Sequence, residues 1–128
     1  MRKNISSGAQ WENIVGYSRA VRVGNVIEIS GTVASDGNEV VGKNDLYQQT
    51  KFILKKIESV LIEAGAALTD VVRTRIYVTD ITKWREAAKA HQEIFGNIKP
   101  TTSMVEVSSL ISPEYLVEVE ATAILETK

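Results

Sequence analysis

Residues 99–123, KPTTSMVEVSSLISPEYLVEVEATA, contain two segments in which the side chains alternate in character, 101–107 and 116–124. Alternation with a period of two is typical of β-strands, in which successive side chains point to opposite faces of a sheet. A link rich in serine, with one proline, separates the two segments. In the second segment one face is apolar, whereas the other face carries Glu118 and Glu120. The chain is therefore predicted to end in two strands, of which the second has an acidic face.

The elements before this stretch follow from the same kind of pattern. Gly24 and Asn25 separate two alternating runs and predict a β-hairpin, because these residue types tolerate the backbone of a two-residue turn. Asp45, with Gln48 three residues later, has the spacing of a capping box at the start of a helix. A second helix carries an apolar stripe that includes Trp84. In chain order, the patterns predict strands at 2–5, 20–23, 26–31 and 39–41, a helix at 45–65, a strand at 71–79 and a helix at 82–96.

This element order predicts an α+β fold with one mixed sheet and both helices on one of its faces. The other face of the sheet is then uncovered. Its expected residues combine charges of both signs with Met and Tyr, a composition that favours a subunit interface over a solvated surface. We therefore expect a symmetric oligomer. The expected residues of the uncovered face are Glu28, Ser30, Arg73, Arg75, Tyr77, Thr102, Met104, Glu106, Glu118 and Glu120.

Composition limits the classes of function. The 128 residues fit a single domain, 1–128, and contain no cysteine, so neither a disulfide framework nor a thiolate metal site is expected. The formal net charge of -1 provides no broad basic field, which makes nucleic acid an unlikely partner. The N-terminal residues lack the apolar region of a signal peptide, and no run approaches the length of a membrane span. A cytoplasmic location without membrane contact is the resulting expectation.

The residues themselves point to few kinds of catalysis. The sequence has no glycine-rich phosphate loop and no nucleophilic triad, and with a single histidine a zinc site is implausible. His91 lies on the apolar stripe of the second helix, which favours a packed histidine over a catalytic one. For Glu118 we expect an ion pair with Arg73 or Arg75 across the sheet. Glu120 has two interpretations at this point: a similar ion pair, or a carboxylate that positions a water or transfers a proton.

Three stretches carry a family resemblance: GYSRAVRVGNVIEISG at 16–31, DVVRTRIYVTDI at 70–81, and the MVEVSSL and LVEVEATA segments near the end. In their order and spacing they resemble the reactive intermediate deaminase family, also called the Rid or YjgF-type family. The resemblance implies a chorismate-mutase-like α+β fold with a mixed six-stranded sheet, assembled as a homotrimer around a central barrel. It also implies clefts between subunits that bind a small metabolite. There, enamines or imines are hydrolysed to 2-oxo acids and ammonia without a metal or cofactor.

The resemblance also implies site residues. The cleft tyrosine of the family falls on Tyr17, its serine on Ser30 and its water-positioning glutamate on Glu120. The arginine that binds the substrate carboxylate belongs to a Pro-Ala-Arg-Ser pattern, and here Thr102 stands at its position. A threonine hydroxyl replaces neither the charge nor the bidentate geometry of a guanidinium group. Arg75 is the first choice as a substitute.

Arg73 and Arg19 are the other candidate substitutes, and the sequence does not decide among the three cations. The expected function is therefore a small-metabolite-binding protein that hydrolyses imine or enamine intermediates. Glu120 would be its catalytic residue, whereas Tyr17, Ser30, Thr102 and Arg75 would bind the substrate. The first alternative is a non-catalytic ligand-binding or regulatory trimer, because binding can survive the loss of the arginine. The second alternative, which comes from the resemblance alone, is an endoribonuclease of the L-PSP type.

Overall fold

The computed structural model describes residues 1–126, which form eight strands and three α-helices. The predicted strands and both predicted helices are present, with ends that differ by at most three residues from the expected ones. In chain order the elements are β1 (Arg2–Ile5), α1 (Gln10–Val15), β2 (Ala20–Val23), β3 (Val26–Thr32), β4 (Ser35–Asp36), β5 (Glu39–Val40), α2 (Leu46–Glu63), β6 (Val71–Val78), α3 (Trp84–Phe95), β7 (Thr101–Glu106) and β8 (Val117–Ile124).

Six of the strands form one mixed sheet in the order β1-β2-β3-β8-β6-β7. All neighbouring pairs are antiparallel except β6 and β7, which run parallel and are joined through α3. The C-terminal strand β8 therefore lies in the middle of the sheet, between β3 and β6. Strands β4 and β5 form a separate two-stranded ribbon. The predicted α+β architecture with a mixed six-stranded sheet is confirmed.

One face of the sheet packs against α2 and α3. Apolar side chains from β3, β6 and β8 meet those of the two helices in a single buried cluster that includes Ile53, Ile57 and Phe95. Helix α2 begins where the Asp45 carboxylate accepts a 3.0 Å hydrogen bond from the backbone amide of Gln48. Gly65 follows the helix with a positive φ of 88°. Within residues 1–126, no helix combines the length and the apolar character needed to cross a membrane.

Strand β8 alternates as the sequence predicts. Its valines and alanines are buried against the helices, whereas Glu118, Glu120 and Thr122 lie on the opposite face, which we call the open face. The open face also carries Glu28, Arg75 and Tyr77, as expected. The expectation that two helices cover one face only is thus confirmed for the central strands.

The prediction for β7 is wrong in its choice of face. Thr74 pairs with Thr102 and Ile76 with Met104, and residues paired in parallel strands point to the same side. Because Thr74 and Ile76 are buried under the helices, Thr102, Met104 and Glu106 lie on the helix side. Hydroxyl and apolar residues occupy both faces of β7, so its alternation does not identify the buried face.

Three further expectations require correction. Alternation groups Val72 with the buried residues Ile76 and Val78, but an irregularity in the pairing of β6 with β8 shifts the register there, and Val72 is 41% exposed. Trp84 was placed on the apolar stripe of the second helix, yet it is 42% exposed and stacks beneath the Arg85 guanidinium. Helix α1, at Gln10–Val15, lies between the predicted strands at 2–5 and 20–23, where the patterns predict neither a helix nor a strand. Its six residues are too few for the spacing of apolar side chains to indicate a helix.

Candidate functional site

A β-bulge brings Ser30 opposite Glu120. Strand β3 pairs Ile29 with Ala121 and Thr32 with Val119, so Ser30 and Gly31 together face the single residue Glu120. The Ser30 hydroxyl donates a 2.7 Å hydrogen bond to the carbonyl oxygen of Ser18, which ties the bulge to the segment before β2.

That segment carries Tyr17, and Glu12 holds it in place. The amides of Gly16 and Tyr17 both donate to the carbonyl oxygen of Glu12 at 2.9 Å, and Gly16 has a positive φ of 89°. The Glu12 carboxylate accepts hydrogen bonds from the Ser6 hydroxyl, at 2.9 Å, and from the amide and hydroxyl of Ser7. Burial alone would raise the pKa of Glu12, but these hydrogen bonds outweigh it and lower the pKa.

Glu120 is partly buried and is held through one of its two carboxylate oxygens. The Tyr77 hydroxyl donates a hydrogen bond to Glu120 Oε1 at 2.6 Å. Arg75, which lies directly opposite Glu120 in the pairing of β6 with β8, has its Nε 3.9 Å from the same oxygen. No hydrogen bond from another side chain of the described chain reaches Oε2. The second oxygen is therefore available to a water or a ligand.

An open cleft of about 690 Å³ lies over this part of the sheet. Four of the five predicted site residues line it: Tyr17, Ser30, Arg75 and Glu120. Arg2, Asn4, Glu12, Asn13 and Glu28 complete most of its polar wall. Charges of both signs thus surround the Glu120 carboxylate.

Thr102 is the predicted site residue that does not line this cleft. Its hydroxyl oxygen accepts a 2.7 Å hydrogen bond from the Thr74 hydroxyl, on the helix side of β7. The Thr74 oxygen in turn lies 2.9 Å from His91 Nε2. His91 packs on Phe95, with the two ring centroids 4.8 Å apart, and burial lowers its pKa. His91 is thus a packed histidine with a satisfied ring nitrogen, as expected.

The three candidate cations have different surroundings. Arg73 donates a hydrogen bond from Nη2 to the Ser103 hydroxyl at 3.0 Å. Arg19 donates from Nη2 to the carbonyl oxygen of Gly31 at 2.5 Å, and burial lowers its pKa. Neither residue lines the cleft, whereas Arg75 does.

The expected ion pair of Glu118 with Arg73 or Arg75 is not formed, because Arg75 faces Glu120 and Arg73 binds Ser103. The Glu118 carboxyl group instead lies against Gly31, in space that a Cβ atom on residue 31 would occupy. Burial raises the pKa of Glu118, and the positive charge of Arg19 only partly offsets this effect. Glu118 is therefore a half-buried carboxyl group without a close cationic partner among residues 1–126.

Two residues of the site escaped prediction. Alternation places Tyr77 correctly on the open face but indicates no role for it, although it lies two residues from Arg75 on the same strand. No sequence pattern indicates a role for Glu12, because its role depends on a loop whose conformation is irregular. Among the described residues, no group of three or more acidic or histidine side chains could hold a metal ion. The arrangement offers a carboxylate with one free oxygen, two hydroxyl groups and a guanidinium around a small polar cleft.

Comparison with known proteins agrees with this fold. Residues 8–125 match the sequence profile of the family described as Endoribonuclease L-PSP. A RutC family protein of Pyrococcus abyssi is 39% identical over 109 residues, covering 84% of each chain. The 3-aminoacrylate deaminase RutC of Acinetobacter baylyi is 30% identical over 108 residues, covering 84% of this chain and 85% of the relative.

A solved structure is also similar over nearly the whole chain. The Mycobacterium tuberculosis protein Rv2704, described as a member of the YjgF/YER057c/UK114 family, has 50% sequence identity and a TM-score of 0.90. The match covers 98% of this chain and 100% of that one. On the strength of the profile match and these relatives, the chain belongs to the YjgF (Endoribonuclease L-PSP, RutC) family.

Proposed function

We propose that this protein hydrolyses small imines or enamines to 2-oxo compounds and ammonia, with Glu120 as the catalytic residue. The observation that carries the proposal is the Glu120 carboxylate, which is anchored through Oε1 and has Oε2 available beside the cleft lined by Tyr17 and Ser30. A relative of 30% identity is named a 3-aminoacrylate deaminase, which supports the reaction class.

In the proposed reaction Glu120 accepts a proton from a water while the water oxygen forms a bond to the imine carbon. An enamine substrate first takes a proton on carbon and releases one from nitrogen, and so becomes the imine. The proton held by Glu120 then passes to nitrogen and gives a carbinolamine. Glu120 next takes the proton of the new hydroxyl group and passes it to the same nitrogen. The carbon–nitrogen bond then breaks, and ammonia leaves as the carbonyl forms. Tyr17 and Ser30 orient the substrate by hydrogen bonds, and each proton taken from water is accounted for in the products.

Arg75 is the proposed partner for a substrate carboxylate. It is the only one of the three candidate cations that lines the cleft, and its 3.9 Å contact with Glu120 is too long for a hydrogen bond. In this proposal the protein is a homotrimer, and Thr102 contributes its hydroxyl to the cleft of a neighbouring copy. This role agrees with its position on β7, at the edge of the sheet.

The direct test is release of ammonia and 2-oxo acid from 2-aminoacrylate or 3-aminoacrylate generated in the assay. We expect wild type to accelerate release above the spontaneous rate, and Glu120→Gln to lose most of that acceleration, about 100-fold or more. Thr102→Arg, which restores the family pattern, measures how much the missing guanidinium limits the rate. Absence of turnover by wild type, with turnover gained by Thr102→Arg, would contradict the proposal.

A second candidate is a ligand-binding protein without catalysis. It is favoured by Thr102, which stands where the family pattern has arginine and which is already hydrogen-bonded to Thr74. Thermal stabilisation by a neutral or cationic metabolite without turnover supports this candidate, and clear catalysis excludes it.

RNA cleavage is disfavoured by charge. Three glutamates, Glu12, Glu28 and Glu120, line the cleft against two arginines, Arg2 and Arg75, so the cleft offers no excess of positive charge for a phosphodiester backbone. RNA cleavage that survived ion exchange and disappeared in Glu120→Gln would revive this activity.

A further inference from the structure

Glu120 has two neighbours, Tyr77 and Arg75, whose contacts differ in kind. Tyr77 lies opposite Glu118 in the pairing of β6 with β8, so it reaches Glu120 diagonally across the sheet. Its hydroxyl is 2.6 Å from Oε1, whereas Arg75 Nε is 3.9 Å from that atom. We propose that Tyr77 is the positioning residue that orients Glu120, and that Arg75 is thereby left to bind an anionic group of the ligand. This inference rests on the proposed function.

The distances decide which neighbour is the anchor. A hydrogen bond from a neutral donor to an ionised acceptor is short and directional, as the contact between Tyr77 and Glu120 is. The pair of Arg75 and Glu120 is longer than any hydrogen bond, and both side chains keep about a third of their surface exposed. Such an ion pair is weak and does not fix an orientation. Tyr77 alone therefore determines which carboxylate oxygen is available to water.

The pKa of Tyr77 is raised, which agrees with Tyr77, and not Arg75, being the residue that orients Glu120. The hydrogen bond to Glu120 is its largest cause, since removing the phenolic proton would leave two negative charges in contact. Burial and the charge of Glu118 act in the same direction, whereas the positive charge of Arg75 lowers the pKa. No other side chain of the described chain donates a hydrogen bond to the Glu120 carboxylate, and Arg75 makes no side-chain hydrogen bond.

Two different residues therefore orient Glu120 and bind the anionic group of the ligand: Tyr77 does the first and Arg75 the second. An arginine that both oriented Glu120 and bound a substrate carboxylate would have to leave one partner for the other. With Tyr77 as the anchor, Arg75 can turn toward an anionic ligand while Glu120 keeps its orientation. The site is therefore suited to a substrate that carries a carboxylate beside the imine, even though Thr102 replaces the arginine of the family pattern.

The first experiment needs no catalysis. Tyrosine labelled with ¹³C at Cζ is titrated by NMR, with the Tyr77 signal assigned by Tyr77→Phe. We expect the Tyr77 signal to titrate above about pH 10 in wild type, to titrate lower in Glu120→Ala, and to stay high in Arg75→Met. Backbone spectra verify that each variant is folded. If Arg75→Met abolishes the high titration of Tyr77, Arg75 is the anchor and the inference is wrong.

The second experiment measures rates. We expect Tyr77→Phe to lower kcat about 10-fold or more with little change in KM, and Arg75→Met to raise KM for a carboxylate substrate. Tyr47→Phe is the matched control, because Tyr47 also donates to a glutamate, Glu93 at 2.5 Å, but on the helix side. Equal kcat losses in Tyr77→Phe and Tyr47→Phe would contradict the inference. If wild type shows no turnover, the proposed function fails, whereas the titration still decides whether Tyr77 anchors Glu120.

Discussion

Glu12 is an acidic residue whose side chain is only 5% exposed, and its carboxylate holds the segment that leads to Tyr17. Because hydrogen bonds from Ser6 and Ser7 lower its pKa, its contribution to stability is complete above the ordinary value of 4.5 and disappears as the pH falls below it. We expect Glu12→Gln to lower the free energy of unfolding by about 1–3 kcal/mol at pH 7.

Urea unfolding of wild type and Glu12→Gln at several pH values tests this prediction. The difference between the two proteins should shrink as the pH falls below the ordinary pKa of glutamate, since wild type then loses its charged hydrogen bonds. Glu63→Gln, at an exposed position on α2, is the control and should change stability by no more than about 0.5 kcal/mol. A difference that stays constant with pH would contradict the role of the Glu12 charge.

At the scale of the element, the bulge in β3 requires a residue without a side chain at position 31. A Cβ on Gly31 would overlap the Glu118 carboxyl group. We expect Gly31→Ala to destabilise wild type by about 1–3 kcal/mol. In a Glu118→Ala background the carboxyl group no longer occupies this space. Gly31→Ala should then be neutral or stabilising by up to about 1 kcal/mol, because alanine restricts the unfolded chain.

Thermal unfolding of the two single variants and the double variant completes this cycle. The expected result is strong non-additivity, in which the double variant is more stable than the sum of the single effects. Additive effects would show that the Glu118 carboxyl group does not occupy the space above Gly31. The same series tests whether the bulge holds Ser30, through the protection of the Ser30 amide from hydrogen exchange.

For the whole molecule, the open face is the expected site of self-association. Its charged centre is bordered by exposed apolar residues that include Val26 and Ile124, the latter 45% exposed. We expect sedimentation to give three times the 14.1 kDa mass of one chain. Ile124→Lys should dissociate the trimer, whereas Ile62→Lys, on α2 and already 63% exposed, should not. A wild-type protein that sediments as a single chain would contradict this prediction.

Much of this architecture could be predicted from the sequence, for physical reasons that are local. The hairpin at Gly24, the cap at Asp45 and the alternation of β8 each depend on residues within a few positions of one another. The same alternation placed Ser30, Arg75, Tyr77 and Glu120 on one face. Strand β7 was assigned to the wrong face because neither of its faces is distinctly apolar.

The sequence by itself therefore determined the elements, the mixed sheet and the shared face of most site residues, since strand and helix periods are properties of short segments. Only the tertiary structure decided which side chains are in contact. Register between strands that are distant in sequence made Arg75 and Tyr77 neighbours of Glu120, put Glu118 against Gly31, and turned Thr102 toward Thr74. Which side chains touch depends on register, bulges and loop conformation, and these are set by packing of the whole chain.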